Sequence, residues 1–150
     1  LAVAPHLHAR RLLDVGSGAG LPGIPLALAN PDMQVTLLDS NHKKVAFLNQ
    51  AVMELKIKNA EVCGERVESW KSQEGFDVVI SRAFSDMSEF VHMTRHLLAP
   101  GGMFAAMKGM HPYEEIDKLP PDCIVQQVLP LAIPGLDGAR HLVLIGQPVA

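Results

Sequence analysis

Residues 12–23 read L-L-D-V-G-S-G-A-G-L-P-G, a glycine-rich turn that directly follows a short apolar run. From Gly18 onward the turn matches G-x-G-x-x-G, the fingerprint of proteins that bind dinucleotides. From Asp14 onward it reads D-V-G-S-G-A-G, an acid at the end of a strand followed by three alternating glycines. The first pattern indicates a nicotinamide or flavin enzyme, whereas the second indicates a protein that binds S-adenosylmethionine.

The pattern around this turn predicts alternating strands and helices. Apolar runs typical of strands occupy residues 11–15, 34–38, 59–63, 76–80, 103–107, 124–129 and 141–145. Helical periodicity covers residues 21–29, 41–55 and 86–98, and we predict Ser40 and Asp86 as the N-caps of the last two helices. Strands that alternate with helices are the signature of a parallel sheet covered by helices.

The end of the chain departs from this alternation. Residues 130–140 join the last two predicted strands and are rich in proline and glycine, so they leave no room for a crossover helix. Those two strands should therefore pair antiparallel. Dinucleotide-binding folds usually have six parallel strands in two mirrored halves, whereas a parallel sheet with an antiparallel last strand is typical of methyltransferases. We predict an α/β, Rossmann-like class I S-adenosylmethionine-dependent methyltransferase fold, with a seven-stranded, mostly parallel sheet in one domain over residues 1–150.

Composition sets further limits on function. The chain has 150 residues and is 48% hydrophobic, which is enough for one self-sufficient core. Its net charge of −3 excludes a general attraction to nucleic acid or anionic membranes, so an RNA partner requires a local basic face. The two cysteines are far apart and the seven histidines form no metal-binding spacing, which predicts no metal and a reducing, cytoplasmic location. No apolar run approaches the ~18 residues of a membrane-spanning helix.

Asp14 separates the two cofactor hypotheses through its charge. Dinucleotide-binding enzymes aim a helix N-terminus at a doubly anionic pyrophosphate, which a carboxylate at the strand end would repel. A cofactor with a sulfonium and an ammonium group would tolerate that carboxylate, and Gly16, Gly18 and Gly20 would let the backbone approach it closely. The turn therefore favours S-adenosylmethionine, and a tight turn without a ligand is the alternative.

Asp39 closes the second predicted strand, 19 residues after Gly20. An acid at this place can accept hydrogen bonds from the ribose hydroxyls of a nucleoside cofactor. Both cofactor classes use such an acid, so Asp39 predicts a nucleoside without identifying which one. Its alternative role is to complement the dipole of the helix that follows.

Four basic residues lie at the ends of predicted strands, on the edge where such sheets bind ligands: Arg66, Arg82, Lys108 and Arg140. An isolated surface arginine usually serves as a salt-bridge partner. Four cations at one edge instead favour a positively charged surface that binds RNA, on a chain that is otherwise mildly acidic. Phe84 lies near the same edge and could stack on a base or cap the core.

Several motifs together resemble one known family. They are D-V-G-S-G-A-G-L-P-G-I-P-L at residues 14–26, T-L-L-D-S at 36–40 with Lys43-Lys44 and Phe47-Leu48 after it, R-V-E at 66–68, S-R-A-F at 81–84, K-G at 108–109 and L-D-G-A-R-H-L-V at 136–143. Over essentially all of its length the chain resembles the glucose-inhibited division protein B family. Its members are bacterial methyltransferases that modify N7 of a guanine in 16S small-subunit ribosomal RNA.

The resemblance implies a role for each matching position. For the cofactor, it implies contacts from Gly16 and Leu21 in the pocket, from Val67 and Glu68 at the adenine, and from Arg82 at the methionyl end. For catalysis and RNA binding, it implies Arg82, Lys108 and Arg140. Family members also carry a helical segment before the first strand, and the resemblance implies that this chain is a fragment without it that still binds the cofactor.

The reaction that the resemblance implies needs few catalytic groups. N7 of guanine has an exposed lone pair and no proton, so methyl transfer requires positioning but no general base. Methyltransferases of exocyclic amines resemble one another in an N/D-P-P-Y motif, and this chain has S-R-A-F in that place, which favours a ring nitrogen. The predicted partner is small-subunit ribosomal RNA or a ribosomal particle. The alternatives are a small-molecule methyltransferase, a nicotinamide-dependent oxidoreductase, and a non-catalytic module that senses the cofactor or binds RNA.

Overall fold

The computed structural model describes residues 9–18, 20, 22–72, 74–82, 86–108, 113–131 and 140–146. Within them the chain forms seven strands: β1 Arg11–Val15, β2 Gln34–Leu38, β3 Ala60–Cys63, β4 Phe76–Ser81, β5 Leu98–Lys108, β6 Ile124–Leu131 and β7 Arg140–Gly146. The α-helices are α1 Gly23–Ala29, α2 His42–Glu54, α3 Met87–Thr94 and α4 Tyr113–Asp117, and a short 3₁₀ helix, Arg95–Leu97, follows α3. Each predicted strand and helix is present: β1 and β2 have the predicted ends, the others have shifted ends, and α4 is additional.

The seven strands form one sheet in the order β3-β2-β1-β4-β5-β7-β6. Strand β1 pairs in parallel with β2 and β4, β2 with β3, and β4 with β5. Strand β7 lies between β5 and β6 and runs antiparallel to both. This topology confirms the predicted fold class, including the closing hairpin.

Strand β1 lies inside the sheet between β2 and β4, and its apolar residues are buried on both faces. Leu12 belongs to a core cluster with Ile24 of α1 and Leu48 of α2. Leu13 belongs to the opposite cluster with Phe90 of α3 and Phe104 of β5, whose rings meet edge to face with their centroids 5.9 Å apart. Successive strand residues point to opposite faces, so a sheet covered on both sides requires a continuous apolar run. The two clusters thereby hold in place the strand ends that carry the site.

The N-cap of α2 differs from the sequence prediction. Helix α2 begins at His42, and the side-chain oxygen of Asn41 accepts hydrogen bonds from the amides two and three positions later, at 3.0 and 3.2 Å. The prediction of Ser40 as the cap was wrong by one position, because serine and asparagine cap helices about equally well. The cap of α3 is confirmed, since Asp86 accepts the amide of Ser88 at 3.0 Å.

The largest local difference from prediction lies between α3 and β5. Helix α3 ends at Thr94, and β5 begins at Leu98 rather than at residue 103. Residues 100–102, which precede the strand predicted at 103–107, lie in a bulge of β5, where its pairing with β4 shifts register. Gly101 has a φ of 78° in this bulge, a left-handed conformation that favours glycine.

Candidate active site

A cavity of about 200 Å³ opens where β1, β2 and β3 end at the carboxyl edge of the sheet. Four residues that the sequence predicts as cofactor contacts line this cavity: Gly16, Asp39, Val67 and Glu68. Ser40 and Glu65 line it too, although the sequence patterns did not point to them. Their place just after the ends of β2 and β3 was the available signal, because ligands of such sheets bind outside the carboxyl ends of the strands.

The glycine-rich turn after β1 is held to the end of β2 by backbone hydrogen bonds. The amides of Gly16 and Ser17 both donate to the carbonyl of Leu38, at 2.8 and 3.3 Å. Gly16, Gly18 and Gly20 have φ values of 70°, 48° and 86°, a region in which a side chain is strained. The alternating glycines are therefore what this turn requires, and they leave backbone rather than side chains beside the cavity.

Asp39 connects the glycine-rich turn with the start of α2. One carboxylate oxygen accepts the amide of Gly18 at 3.0 Å, and the other accepts the amide of Asn41 at 2.9 Å. The second bond gives Asp39 the helix-start role that the sequence left as an alternative. Each oxygen has a further lone pair and Asp39 borders the cavity, so its contact with a ribose stays a prediction.

Asp14 lies at the base of the glycine-rich turn, and its side chain is completely buried. One oxygen accepts the amide of Gly23, the first residue of α1, at 2.9 Å, and the other has no hydrogen-bond partner in the described part of the chain. Burial raises the pKa of Asp14 to about 8, against smaller lowering effects from the Gly23 amide, the Ser17 hydroxyl and the charge of Arg82. The carboxyl group is therefore mainly protonated at pH 7.

The burial of Asp14 overturns one argument made from the sequence. A neutral carboxyl group beneath the turn does not repel a pyrophosphate, so the charge of Asp14 does not separate the two cofactor classes. The closing hairpin does separate them, because β7 is antiparallel as methyltransferases require. The carboxyl group instead anchors the first turn of α1 to the end of β1 through Gly23.

Arg82 directly follows β4 and is exposed at the same edge of the sheet. The hydroxyl of Ser81 donates to the carbonyl of Val15 at 2.8 Å, which ties the end of β4 to the end of β1. Although burial dominates the pKa of Asp14, the positive charge of Arg82 lowers it, which indicates that the guanidinium lies near the glycine-rich turn. The structure thus brings Arg82 close to the predicted cofactor residues, and its catalytic role stays a prediction.

Lys108 ends β5 and is largely enclosed, with 10% of its side chain exposed. Its ammonium group lies 2.8 Å from Oε1 of Glu115 on α4. The structure therefore places Lys108 at the predicted edge but in an ion pair, rather than as an exposed cation open to RNA. Glu115 was missed because α4 was not predicted; Pro112 followed by acidic residues was the available signal of a helix start.

The other two predicted cations reach the edge from different parts of the sheet. Arg140 begins β7, and the next residue, His141, pairs with Lys108 of β5. An antiparallel strand begins where its parallel neighbours end, so the backbone of Arg140 lies at the carboxyl edge. Arg66 lies beside the cavity, where its side chain is exposed and its guanidinium is 3.9 Å from the carboxylate of Glu68.

Two predicted contacts, Leu21 and Phe84, fall outside the described residues. Within the ranges that are described, no group of three or more histidine, cysteine or acidic side chains could hold a metal ion. None of the helices that the structure describes combines the length and the apolar character needed to cross a membrane.

The cavity fits part of an S-adenosylmethionine molecule. Its acidic residues Asp39, Glu65 and Glu68 can accept hydrogen bonds from hydroxyl and ammonium groups, and they disfavour a pyrophosphate. Val15 and Val67 offer apolar surface to a flat ring. The volume of about 200 Å³ is below the ~300–1,000 Å³ typical of pockets for whole ligands, so the cavity suits the nucleoside portion.

Comparison with known sequences gives a consistent result. The family model of GidB, rRNA small subunit methyltransferase G, matches residues 1–143. A protein of Laribacter hongkongensis named Ribosomal RNA small subunit methyltransferase G is 57% identical over 146 residues, which make up 97% of this chain and 70% of that protein. A protein of the same name from Chromobacterium violaceum is 56% identical, over 95% of this chain and 69% of that protein.

Comparison with solved structures agrees on the fold. The N-methyltransferase NodS from Bradyrhizobium japonicum WM9, solved in complex with S-adenosyl-L-homocysteine, matches with a TM-score of 0.73. The match covers 98% of this chain and 82% of that chain at 15% sequence identity. At this identity the likeness concerns the fold alone, and it is the class I methyltransferase fold that the strand pattern predicted.

Proposed function

The chain belongs to the rRNA small subunit methyltransferase G family, and from this premise we propose that it transfers a methyl group from S-adenosylmethionine to N7 of a guanine in 16S ribosomal RNA. The family match over residues 1–143 carries the proposal, and it confirms the resemblance to the glucose-inhibited division protein B family. The cofactor follows from the same family and agrees with the fold. The match favours neither a small-molecule methyltransferase nor a nicotinamide-dependent oxidoreductase.

We assign the cofactor to the ends of β1, β2 and β3. S-adenosylmethionine supplies, when bound, a methyl group made electrophilic by its sulfonium sulfur. The residues that would hold it are Gly16, Gly18, Gly20, Leu21, Asp39, Val67 and Glu68, with Arg82 at the methionyl end. The turn offers backbone amides and close approach, and Asp39 and Glu68 offer carboxylates to the ribose hydroxyls and the adenosine.

Methyl transfer to N7 requires the protein to orient the two reactants and requires no proton acceptor. N7 of guanine presents a lone pair and carries no hydrogen, so no side chain has to act as a base. Holding two reactants in line is worth up to ~7–11 kcal/mol of the barrier. Arg82 is suited to orient the guanine or its phosphate, because it is exposed at the end of β4 and a guanidinium stays protonated.

The RNA is proposed to approach the ends of β4 and β5 and the start of β7. Arg82 and Arg140 lie on that side, and Arg66 lies beside the cofactor cavity. A chain with a net charge of −3 needs such a local set of cations to attract RNA phosphates. We assign residues 1–150 to one S-adenosylmethionine-dependent methyltransferase domain and, since its substrate is ribosomal RNA, place the protein in the cytoplasm.

Thermal unfolding with two ligands tests the cofactor. S-adenosylhomocysteine at 100 times its Kd should stabilise the chain by ~2.7 kcal/mol, which raises the Tm of a chain of this size by ~5–10 °C. NAD at the same concentration should leave the Tm unchanged. A shift with NAD alone would contradict the proposed function and leave only the fold.

Methylation of RNA tests the substrate. Small-subunit ribosomal RNA and intact small subunits from cells that lack the modification would be incubated with the protein and methyl-labelled S-adenosylmethionine. We expect label in N7-methylguanosine, identified by mass spectrometry of the digested nucleosides. Label in another nucleoside would contradict the choice of N7, and label confined to small molecules would support the alternative methyltransferase function.

A further inference from the structure

Glu115, on α4, joins two separate elements at the carboxyl edge of the sheet. Its Oε1 lies 2.8 Å from the ammonium group of Lys108, at the end of β5. The same oxygen accepts the backbone amide of Met87, the first residue of α3, at 3.0 Å. A single carboxylate oxygen therefore links the end of β5, the start of α3 and α4.

These contacts lie next to residues proposed for the reaction. Met87 follows Arg82 by only five positions. Lys108 pairs in register with His141, the residue after Arg140. A shift of the start of α3 or of the end of β5 would therefore act close to these arginines.

Two groups bond to the carboxylate of Glu115. The side chains of Lys108 and Glu115 are 10% and 27% exposed, and a cation so enclosed is stable only with an acid beside it. The amide of Met87 is one of the first N–H groups of α3, which have no acceptor within the helix. A second hydrogen bond joins α3 to the end of α4: the hydroxyl of Ser88 donates to the carbonyl of Lys118, the residue after α4, at 2.7 Å.

We propose that Glu115 is a positioning residue for methyl transfer: it holds Lys108 and the first turn of α3 so that Arg82 stays in a fixed place at the reaction edge. This inference rests on the proposed function. Lys108 then acts through Glu115 and maintains the site, and RNA phosphates are contacted by Arg82 and Arg140 instead.

Four variants test this arrangement. Glu115→Gln removes the charge but keeps the shape and a carbonyl acceptor for the amide of Met87. Lys108→Met removes the other partner, and the double variant closes a thermodynamic cycle. Asp117→Asn is the matched control, because Asp117 is an exposed acid on the same helix. For each we would measure kcat, KM for RNA, the salt dependence of RNA binding and the Kd of S-adenosylhomocysteine.

The expected signature is a fall in kcat without loss of binding. Misplacement of reacting groups by about 1 Å costs on the order of 100-fold, so Glu115→Gln and Lys108→Met should each lower kcat by ~10- to 100-fold. The KM for RNA and the Kd of S-adenosylhomocysteine should stay within about twofold of the wild-type values, because neither residue is proposed to contact the ligands. The double variant should be no slower than the slower single variant, since the pair acts as a unit. Asp117→Asn should keep the wild-type kcat.

Two results would overturn the inference. The first is an unchanged kcat in both single variants with a raised KM for RNA in Lys108→Met. In that variant the slope of log K for RNA against log salt concentration would also be shallower by ~0.7–0.9, the value for one lost phosphate contact. That result would make Lys108 an RNA contact. The second is loss of S-adenosylhomocysteine binding and of the folded state in Glu115→Gln, which would make the residue purely structural.

Hydrogen exchange separates this inference from the proposed function. If the wild-type chain methylates no ribosomal RNA, the proposed function fails, and the amide of Met87 still reports on Glu115. Its exchange should be faster in Glu115→Gln, whose neutral carbonyl is a weaker acceptor than a carboxylate, and unchanged in Asp117→Asn. Equal exchange in both variants would overturn the positioning role without reference to any substrate.

Discussion

The two halves of the carboxyl edge are built from different kinds of groups. In the cofactor half, at the ends of β1, β2 and β3, short acidic side chains bind backbone amides: Asp14 binds Gly23, and Asp39 binds Gly18 and Asn41. In the substrate half, at the ends of β4 and β5 and the start of β7, long cations stand at the strand ends: Arg82, Lys108 and Arg140.

This difference predicts how each half responds to substitution. A short side chain bonded to backbone amides has few rotamers, so it cannot be removed without disturbing the turn that it holds. A long exposed arginine can be removed with little loss of packing, because water replaces its partner. Changes in the cofactor half should therefore lower stability and cofactor affinity together, whereas changes of Arg82 and Arg140 in the substrate half should affect RNA and leave stability nearly unchanged.

Gly23→Ala should give the largest effect. An added Cβ would lie 2.6 Å from Oδ2 of Asp14 and still closer to the side chain of Leu37. Overpacking costs up to about 3 kcal/mol, so we expect a loss of ~3 kcal/mol in the free energy of unfolding and of ~6–12 °C in Tm. Gly64→Ala is the control, because its nearest neighbour would be Val45 at 3.4 Å. An equal loss in both variants would show that the close packing at Gly23 does not matter.

Asp39→Asn should have the next largest effect. The new amide would place its NH₂ group against an N–H donor, the amide of either Gly18 or Asn41, so one hydrogen bond is lost and two donors oppose each other. We expect a loss of ~2 kcal/mol in the free energy of unfolding and an affinity for S-adenosylhomocysteine about tenfold weaker, read by calorimetry. The exposed turn residue Asp32, changed to Asn, is the control. Wild-type stability and wild-type affinity for S-adenosylhomocysteine in Asp39→Asn would contradict the role of Asp39 in cofactor binding.

Asp14 should make stability depend on pH. Its folded pKa of about 8 lies above the usual 3.8, so the folded state binds the proton more tightly than the unfolded state does. The contribution of Asp14 to the free energy of unfolding should therefore be highest below about pH 4 and fall as the pH rises towards 8, by at most ~1.4 kcal/mol per pH unit. Urea unfolding across this range should show the fall in the wild type relative to Asp14→Asn. A difference between the two proteins that is constant with pH would contradict the burial effect.

Arg140→Ala should give the smallest effect on the protein and act on RNA alone. We expect weaker RNA binding with a salt dependence lower by about one phosphate contact, and an unchanged Kd for S-adenosylhomocysteine. Arg10→Ala is the control, because Arg10 is exposed and precedes β1 at the opposite edge of the sheet. Loss of cofactor binding in Arg140→Ala would contradict the assignment of Arg140 to RNA binding. It would also contradict the division of the edge into a cofactor half and a substrate half.

Most of the fold could be predicted because its signals are local. Apolar runs identified the strands, and a short connection rich in proline and glycine identified the hairpin of β6 and β7. Helix α4 was missed because Tyr113–Asp117 is too short to show a helical period. The cap of α2 was misplaced by one residue because Ser40 and Asn41 are both good caps, and only the helix start distinguishes them.

The meeting of the cofactor residues could also be predicted. Gly16, Asp39 and Glu68 follow the ends of strands that run in parallel, and parallel strands bring their carboxyl ends to one edge. The state of the charges could not be predicted in the same way. Asp14 was expected to present a carboxylate and is a buried, mainly neutral acid, and Lys108 was expected to face RNA and is paired with Glu115.

The sequence by itself determined the fold class, the edge of the sheet at which the site lies and the glycine-rich turn with Gly16, Gly18 and Gly20. Only the tertiary structure decided which charged groups at that edge are solvated and which are enclosed. Backbone conformation and strand pattern depend on neighbouring residues, whereas the solvation and pairing of a charge depend on how separate elements pack against one another. Asp14 is buried at the end of β1 and accepts the amide of Gly23 on α1, and Lys108 on β5 forms an ion pair with Glu115 on α4.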